Sequence, residues 1–171
     1  MSLLEDDIEQ VGELSIEASD FDDDERMPDY VGYVNENENP ELRIENVPED
    51  AESLVLVLDD PDARPVVGFT FDHWLTWDID PDIGTIPRGW EPSEDEATVG
   101  YNDFVENDFS GPSPPDGAHR YRFKLFALDS ELGLEPEARK AVVQMTAGME
   151  AEVLAATQLV GQYEPSQGTA F

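Results

Sequence analysis

Three short segments of this 171-residue chain hold most of the side chains that could do chemistry. They are 59–63 (Asp-Asp-Pro-Asp-Ala), 72–74 (Asp-His-Trp) and 111–121, which contains two adjacent prolines followed by His-Arg-Tyr. The chain has only two histidines, His73 and His119, and each lies in one of these segments. Histidine has the unperturbed pKa closest to neutral pH, which suits it to binding or moving charge. Two imidazoles with a carboxylate could hold an anion if the fold brings the segments together.

The residues around these segments do not favour an enzyme. Ser110 and Ser113 lie near His119, but no Gly-x-Ser-x-Gly elbow marks either serine as the nucleophile of a Ser–His–Asp hydrolase. A zinc enzyme needs at least three ligands at spacings such as His-Glu-x-x-His, which this chain does not contain. A glycosidase needs only two carboxylates, so a chain with 41 acidic residues neither supports nor excludes one. We therefore predict a binding protein with no catalytic residues, no metal ion and no cofactor.

Each segment also has an ordinary structural interpretation. Asp and Pro at 59–62 are typical of a turn after a strand, with a divalent-cation site as a minor alternative. His73 beside Trp74, and His119 before Arg120, could each be a hydrogen-bonded core histidine. The functional interpretation therefore rests on the three segments taken together.

The charge of the chain bounds its environment and its partners. Asp and Glu number 41 against nine Lys and Arg, which gives a formal net charge of −32. Such self-repulsion destabilises a compact state unless salt screens it, and near 1 M salt the Debye length falls to about 3 Å. We therefore expect a salt-accumulating source, a halophilic archaeon. The negative field also argues against nucleic acid and anionic membranes as partners.

Composition and length favour one domain. The chain has no cysteine, which excludes disulfides, thiolate metal sites and Cys catalysis. Its start lacks the basic region and apolar run of a secretory signal, and no stretch approaches 18 apolar residues, so we expect a cytoplasmic protein without stable membrane insertion. With 39% hydrophobic residues, 171 residues suffice for one core. We place a single domain at 13–164, between flexible segments at 1–12 and 165–171.

Hydrophobic patterns predict mostly strands. Residues 54–58 form a continuous apolar run, typical of a central strand that is buried on both faces. Residues 73–79 are aromatic and β-branched, which indicates a second interior strand. Side chains alternate over 119–126 and place three basic residues on one face: Arg120, Arg122 and Lys124. That face is expected to be a salt-bridged solvent face, with a second functional patch as the alternative.

The remaining pattern completes a β-rich chain. Further strands are expected at 14–17, 42–44 and 153–163, with a short one near 30–34. A helix is expected to begin at Pro136, whose fixed φ suits a first turn, and 149–154 could continue as a short helix. Its apolar stripe would be Ala138, Ala141, Val142 and Met145, at i, i+3, i+4 and i+7. The fold class predicted from these elements is an all-β or β-rich sandwich.

Several of these segments resemble one known family. Asp-Pro-Asp-Ala at 60–63, His73 before Trp74, and the Pro-Pro…His-Arg-Tyr run that ends at Tyr121 are similar to the anion-pocket motifs of the phosphatidylethanolamine-binding proteins. Segments at 27–30, 47–54, 101–104 and 120–129 also resemble that family. The likeness covers residues 14–163 and is to the bacterial and archaeal, Raf-kinase-inhibitor-like branch.

The resemblance implies a fold and a site. The fold would be a two-sheet Greek-key β-sandwich with one or two short helices near the C-terminus. The ligand-binding residues would be Asp60, His73 and His119, with Gly111, Pro115 and Tyr121 shaping the wall. Both imidazoles would present positive charge to phosphate or a phosphorylated head group, because a neighbouring carboxylate favours the imidazolium form. Backbone N–H groups of 111–117 would add donors.

The resemblance leaves the partners open. The family includes inhibitors of kinases and of serine proteases, so a protein-interaction module that acts through surface loops is the alternative function. A homodimer is also left open. The loop from Asp116 to Ala118, which joins the proline pair to His119, is short compared with the family pattern and affects the rim of the pocket.

Overall fold

The computed structural model describes residues 4–165, which form mostly strands together with two short helices. The strands are β1 (Ser15–Ala18), β2 (Glu25–Arg26), β3 (Leu42–Glu45), β4 (Ser53–Asp60), β5 (Phe71–Ile79), β6 (Thr85–Ile86), β7 (Thr98–Val99), β8 (His119–Leu128) and β9 (Val153–Tyr163). The helices are α1 (Arg64–Val67) and α2 (Lys140–Glu150), and single 3-10 turns lie at Asp29–Val31 and Pro61–Ala63. The expected strand near 30–34 is therefore the first of these turns. Neither helix in this part of the chain is long and apolar enough to cross a membrane.

The strands form two sheets packed as a sandwich. The larger sheet has the order β2-β9-β8-β4-β5-β7, and the smaller has the order β1-β3-β6. Strand β4 is buried along its whole length, as predicted, because β8 and β5 flank it and both of its faces are covered. Leu54, Leu56 and Leu58 point into the core between the sheets, while Val55 and Val57 belong to a second core on the outer face. The predicted β-sandwich is confirmed.

Helix α2 covers that outer face, but not with the predicted stripe. The helix begins at Lys140, four residues beyond Pro136, and its buried residues are Lys140, Val143 and Ala147. Val142 and Met145 are 39% and 58% exposed, so the stripe assigned to them is wrong. The helical periodicity is as predicted, but the helix is rotated so that a different side faces the sheet. The ion pair between Lys140 and Asp72 on β5 holds the side with Lys140 toward the sheet. The helix ends at Glu150 and is followed directly by β9, so 149–154 is not a second helix.

Residues 4–12 are packed against the domain, contrary to the expectation of a flexible segment at 1–12, of which residues 1–3 lie outside the described residues. Residues 4–12, here called the N-terminal strap, lie across β8 and β9. Leu4 is buried, and its carbonyl oxygen accepts a hydrogen bond of 2.8 Å from Lys124 Nζ. The Ile8 N–H donates to Gln158 Oε1 at 3.0 Å, and Val11 bridges to Ala156. The strap is ordered because its few apolar side chains and its backbone cover polar groups of the sheet. Of the segment expected to be flexible at the other end, residues 166–171 lie outside the described residues.

Beneath the strap lies a cluster of charges that corrects a second expectation. Arg122 and Lys124 on β8 are salt-bridged as predicted, but they are buried rather than on a solvent face. Both contact the fully buried Asp59, at 2.7 Å from Arg122 Nε and 3.0 Å from Lys124 Nζ. Lys140 Nζ lies 2.7 Å from Asp72 Oδ1 in the neighbouring pair. These five side chains are called the buried ion cluster below.

Candidate functional site

The antiparallel arrangement of β4, β5 and β8 brings the three chemically interesting segments to one end of the larger sheet. Asp60 is the last residue of β4, His119 is the first residue of β8, and His73 is the third residue of β5. Because β4 runs antiparallel to both neighbours, its end meets the beginnings of the other two strands. The three side chains line one cavity of about 220 Å³. The predicted convergence of Asp60, His73 and His119 is therefore present.

His119 is held between two carboxylates. Its Nδ1 donates to Asp60 Oδ2 and its Nε2 donates to Asp116 Oδ1, both at 2.6 Å. Burial disfavours the charged ring, but the hydrogen bonds to Asp60 and Asp116 outweigh burial and raise the His119 pKa above its ordinary value. Both ring nitrogens point at carboxylate oxygens, an arrangement that favours the imidazolium form of His119.

Asp60 is fixed in this position from the backbone side. Its Oδ1 accepts a hydrogen bond of 2.9 Å from the Asp62 N–H, which also caps the 3-10 turn at Pro61–Ala63. Burial raises the Asp60 pKa, and the hydrogen bond from His119 acts against that rise. In this turn Asp60 Oδ1 is hydrogen-bonded to the backbone, and Oδ2 remains to accept the hydrogen bond from the His119 ring.

His73 differs from the expectation that both imidazoles carry positive charge. Its Nδ1 lies 2.7 Å from the Ser110 carbonyl oxygen, so Nδ1 carries the proton and Nε2 is an acceptor. Burial lowers the His73 pKa to about 4, and the carbonyl only partly opposes this. His73 is therefore neutral at physiological pH. It contributes a neutral polar wall to the cavity, while His119 alone provides a positive charge.

Aromatic and apolar side chains form the rest of the cavity. The His73 ring centroid lies 5.0 Å from that of Phe71, 5.6 Å from that of Phe104 and 5.3 Å from that of Tyr121. Val66 and Val67 of α1 and the proline pair complete the lining. The buried Tyr121 hydroxyl makes no hydrogen bond of ordinary geometry within residues 4–165. Burial and the nearby Asp60 raise the Tyr121 pKa, so this hydroxyl keeps its proton and can donate it to a ligand.

Of the predicted wall residues, Pro115 and Tyr121 line the cavity and Gly111 does not. A Cβ atom at Gly111 would collide with the Val31 carbonyl, so the glycine permits a close approach of two backbones behind the site. Its N–H donates to Asn37 Oδ1 at 2.7 Å, which removes it from the donors expected for an anion.

Two residues with a part in the site were not predicted: Phe104 lines the cavity, and Asp116 contacts His119 Nε2. Phe104 is positioned by the fully buried Asn102, whose Oδ1 accepts the Phe104 N–H at 2.8 Å and whose Nδ2 donates to the His73 carbonyl at 3.3 Å. Asn102 Nδ2 also donates to Ser110 Oγ at 2.8 Å. The Asn-Asp-Phe segment was a sequence signal for this element. Asp116 had a weaker signal, its position three residues before His119.

Other cavities and clusters carry less chemistry. A larger cavity of about 540 Å³ beside Trp90 and Pro136 contains no histidine and is lined by acidic residues such as Glu91 and Glu94. Within residues 4–165, no group of three or more His, Asp or Glu side chains is arranged to hold a metal ion. The cavity around His119 is therefore the candidate site.

Comparison with known proteins identifies the scaffold. The family model for the phosphatidylethanolamine-binding proteins matches residues 17–164, which includes every element that lines the cavity. The chain belongs to this family. A UPF0098 protein of Pyrococcus abyssi is 39% identical over 154 residues, covering 86% of this chain and 83% of that protein. A UPF0098 protein of Methanothermobacter thermautotrophicus is 37% identical over 153 residues, covering 88% of this chain and 98% of that protein.

Solved structures of the family share the fold. A phosphatidylethanolamine-binding protein homologue from Chlamydia trachomatis superposes with a TM-score of 0.80 at 28% identity, covering 89% of this chain and 97% of that structure. The YbcL protein of Escherichia coli superposes with a TM-score of 0.79 at 24% identity, covering 90% and 99% respectively, and shows the fold alone. These archaeal and bacterial relatives place the chain in the prokaryotic branch of the family.

Proposed function

We propose that this protein is a non-enzymatic binding protein for a small anionic group, a phosphate or a phosphorylated head group. The observation that carries the proposal is the His119 imidazolium at the cavity wall. Asp60 fixes one side of the ring, and the other side already holds a carboxylate oxygen supplied by an exposed residue. Charge-assisted hydrogen bonds of this kind are what a phosphate oxygen would accept.

The shape and polarity of the cavity support a small ligand. About 220 Å³ is below the roughly 300–1,000 Å³ of sites for drug-sized molecules. His119 and Tyr121 line the same cavity, so a phosphate held by His119 would lie near the Tyr121 hydroxyl, which makes no hydrogen bond of ordinary geometry within residues 4–165. The apolar wall of Phe71, Phe104 and Val66 suits the uncharged part of a ligand.

The neighbouring hydroxyls support binding rather than catalysis. The Ser110 hydroxyl donates to Glu106 Oε1 at 2.7 Å and accepts from Asn102, so it is not paired with a histidine as a nucleophile would be. Both nitrogens of His119 donate to carboxylates, and the Nδ1 proton of His73 is committed to a backbone carbonyl. With both nitrogens engaged by carboxylates, the His119 ring is not arranged as a general base beside a nucleophile.

The phosphate chemistry could come from two sources. One is a soluble phosphate or phosphate monoester, and the other is the head group of a lipid such as phosphatidylethanolamine, as the family name suggests. Three probes separate these sources: inorganic phosphate, O-phosphoethanolamine, and vesicles of phosphatidylcholine with and without phosphatidylethanolamine. Binding of the first two without enrichment on the vesicles would favour a soluble ligand.

The test of the proposal is a titration of the parent protein and of His119→Ala with phosphate. We expect the variant to bind at least about tenfold more weakly, which corresponds to 1.4 kcal/mol. Asp95→Asn removes an exposed charge away from the cavity and serves as the control. Methanesulfonate keeps one negative charge at all pH values used, so its affinity should fall as pH rises through the raised His119 pKa. Equal binding by the parent and His119→Ala would refute the site.

A further inference from the structure

The two carboxylates that bracket His119 are held very differently. Asp60 is only 5% exposed and is tied to the Asp62 N–H, so it is a permanent part of the wall. Asp116 is 55% exposed and reaches His119 Nε2 from the solvent side. The Nε2 proton is therefore satisfied by a partly exposed side chain that could leave.

The backbone around Asp116 allows such a movement. The loop between the proline pair and His119 forms bends rather than a helix or strand. Gly117 has a φ of 117°, and a Cβ atom built there would meet nothing within 4 Å, so the chain is loosely surrounded at this point. The Asp116 carboxylate can rotate into water without breaking any other hydrogen bond within residues 4–165.

We infer that Asp116 is a built-in occupant of the anion position on His119, and that an anionic ligand binds by exchange with it. The inference rests on the proposed function and adds the residue that controls entry to the site. In the exchange, Asp116 Oδ1 leaves Nε2–H and an oxygen of the ligand accepts the same hydrogen bond, so no proton has to move. The imidazolium keeps an acceptor on both sides throughout.

The exchange makes Asp116 a determinant of specificity. A carboxylate tethered three residues from His119 competes at a high effective concentration, in the millimolar range typical of short tethers or above it. Weak monovalent anions such as acetate offer the ring the same kind of oxygen as Asp116 and gain nothing by the exchange. A phosphate has further oxygens for the Tyr121 hydroxyl, so it can replace Asp116 with a net gain.

The competition lowers the apparent affinity in a simple way. Only molecules whose Asp116 has swung away can bind, so the apparent dissociation constant is the intrinsic constant divided by the fraction in that state. An ion pair with one exposed partner shifts such an equilibrium constant by an amount that ranges from very little to about tenfold. We therefore expect Asp116→Asn to bind phosphate about three- to tenfold more tightly than the parent.

Removing a negative charge near the site would strengthen anion binding to some extent without any exchange. Asp62→Asn is the matched control, because the Asp62 carboxylate lies close to the site but bonds to the Arg120 N–H and not to His119, and the backbone N–H that holds Asp60 is unchanged by the substitution. We expect Asp62→Asn to bind phosphate within about twofold of the parent. A second readout is the His119 ring itself, whose pKa should fall in Asp116→Asn and recover when phosphate is added, because phosphate restores the lost negative charge beside the ring.

The deciding experiment measures phosphate and acetate binding to the parent, Asp116→Asn and Asp62→Asn by calorimetry at constant ionic strength and about pH 6, with NMR of the His119 ring. Tighter phosphate binding by Asp116→Asn alone, with acetate binding detectable only in that variant, supports the exchange. Equal or weaker phosphate binding by Asp116→Asn, while the parent binds, overturns it and assigns Asp116 a positioning role. Failure of both the parent and Asp116→Asn to bind phosphate would instead overturn the proposed function.

Discussion

Replacement of Asp59 by Asn tests the energetics of the buried ion cluster. The Asp59 carboxylate is fully buried and accepts three charge-assisted hydrogen bonds or ion pairs, from Arg122 Nε at 2.7 Å, Arg122 Nη2 at 3.0 Å and Lys124 Nζ at 3.0 Å. An asparagine keeps the shape of the side chain but removes its charge and offers a single acceptor oxygen. Two buried cations would then share a neutral partner.

The expected cost is large because both cations stay buried. Removing one member of a buried ion pair typically costs about 3–5 kcal/mol, since the remaining charge is left without compensation. In a domain of this size each kcal/mol lowers the melting temperature by about 2–4 °C. We therefore expect Asp59→Asn to melt about 6–20 °C below the parent.

The variant should also acquire a specific pH dependence. Burial lowers the Lys124 pKa, and Asp59 is the main group that opposes this. Without Asp59 the Lys124 pKa falls further. At pH values above this lowered pKa, Lys124 carries a proton in the unfolded chain but not in the folded chain. Stability then rises with pH up to the unfolded value of about 10.4. Because Asp59 keeps the Lys124 pKa of the parent higher than that of the variant, the gap in stability should narrow as pH rises between these two pKa values, and it is compared at pH 7 and pH 9.

Urea unfolding in about 1 M KCl, at both pH values, is the assay, because that salt concentration screens the surface carboxylates far more than the buried pairs. Asp95→Asn is the control for loss of one negative charge, and it should be neutral or slightly stabilising in so acidic a chain. In the double variant Asp59→Asn/Lys124→Met the loss should be less than additive. A loss below about 1 kcal/mol for Asp59→Asn, or no change of the gap with pH, would show that the cluster is hydrated and would refute the reasoning.

Four further outcomes are expected. Gly111→Ala should lower the free energy of unfolding by about 1–3 kcal/mol, because the new Cβ would meet the Val31 carbonyl. Gly148→Ala should raise it by up to about 1 kcal/mol, because this glycine lies in α2 with open space around it. Equal urea midpoints for the two variants would contradict this pair of expectations. The Asp72 carboxyl should titrate at about 7 by carbon NMR, because burial outweighs Lys140, and a midpoint below about 5 would exclude this environment. Deleting residues 1–8 should cost at least about 2 kcal/mol of unfolding free energy, because Leu4 loses its burial and Lys124 loses a hydrogen-bond partner, and a stable truncated protein would show that the strap is dispensable. Finally, the net charge of −32 should make the melting temperature rise strongly between about 0.1 M and about 2 M KCl, and a flat response would contradict a salt-adapted surface.

The centre of the site could be predicted because strand ends are visible in the sequence. The apolar run before Asp60 and the alternation after His119 place both residues at strand termini, and antiparallel pairing brings those termini together. The charge state of His73 could not be predicted. It depends on the Ser110 carbonyl 37 residues away and on burial, neither of which leaves a mark in the local sequence.

The errors elsewhere have a common cause, which is that long-range ion pairs decide orientation. Periodicity identifies α2 but cannot fix its rotation, because a lysine on the buried face looks polar until its partner Asp72 is known. The N-terminal strap looks disordered for the same reason, since its acidic residues lie opposite basic groups more than 100 positions away, such as Arg122. Composition alone treats these charges as solvated.

The strap also has a consequence for how the chain is made. Leu4 is synthesised well before its partners Lys124 and Gln144, which follow 120 and 140 positions later. At about 5–20 residues per second, at least roughly 6–24 s pass before Lys124 has even been synthesised. During that time the N-terminal strap cannot make its contacts with β8, and Asp59 has not yet formed its ion pairs with Arg122 and Lys124. The N-terminal strap is thus synthesised before the rest of the domain but can be buried only after β8, α2 and β9 have followed it.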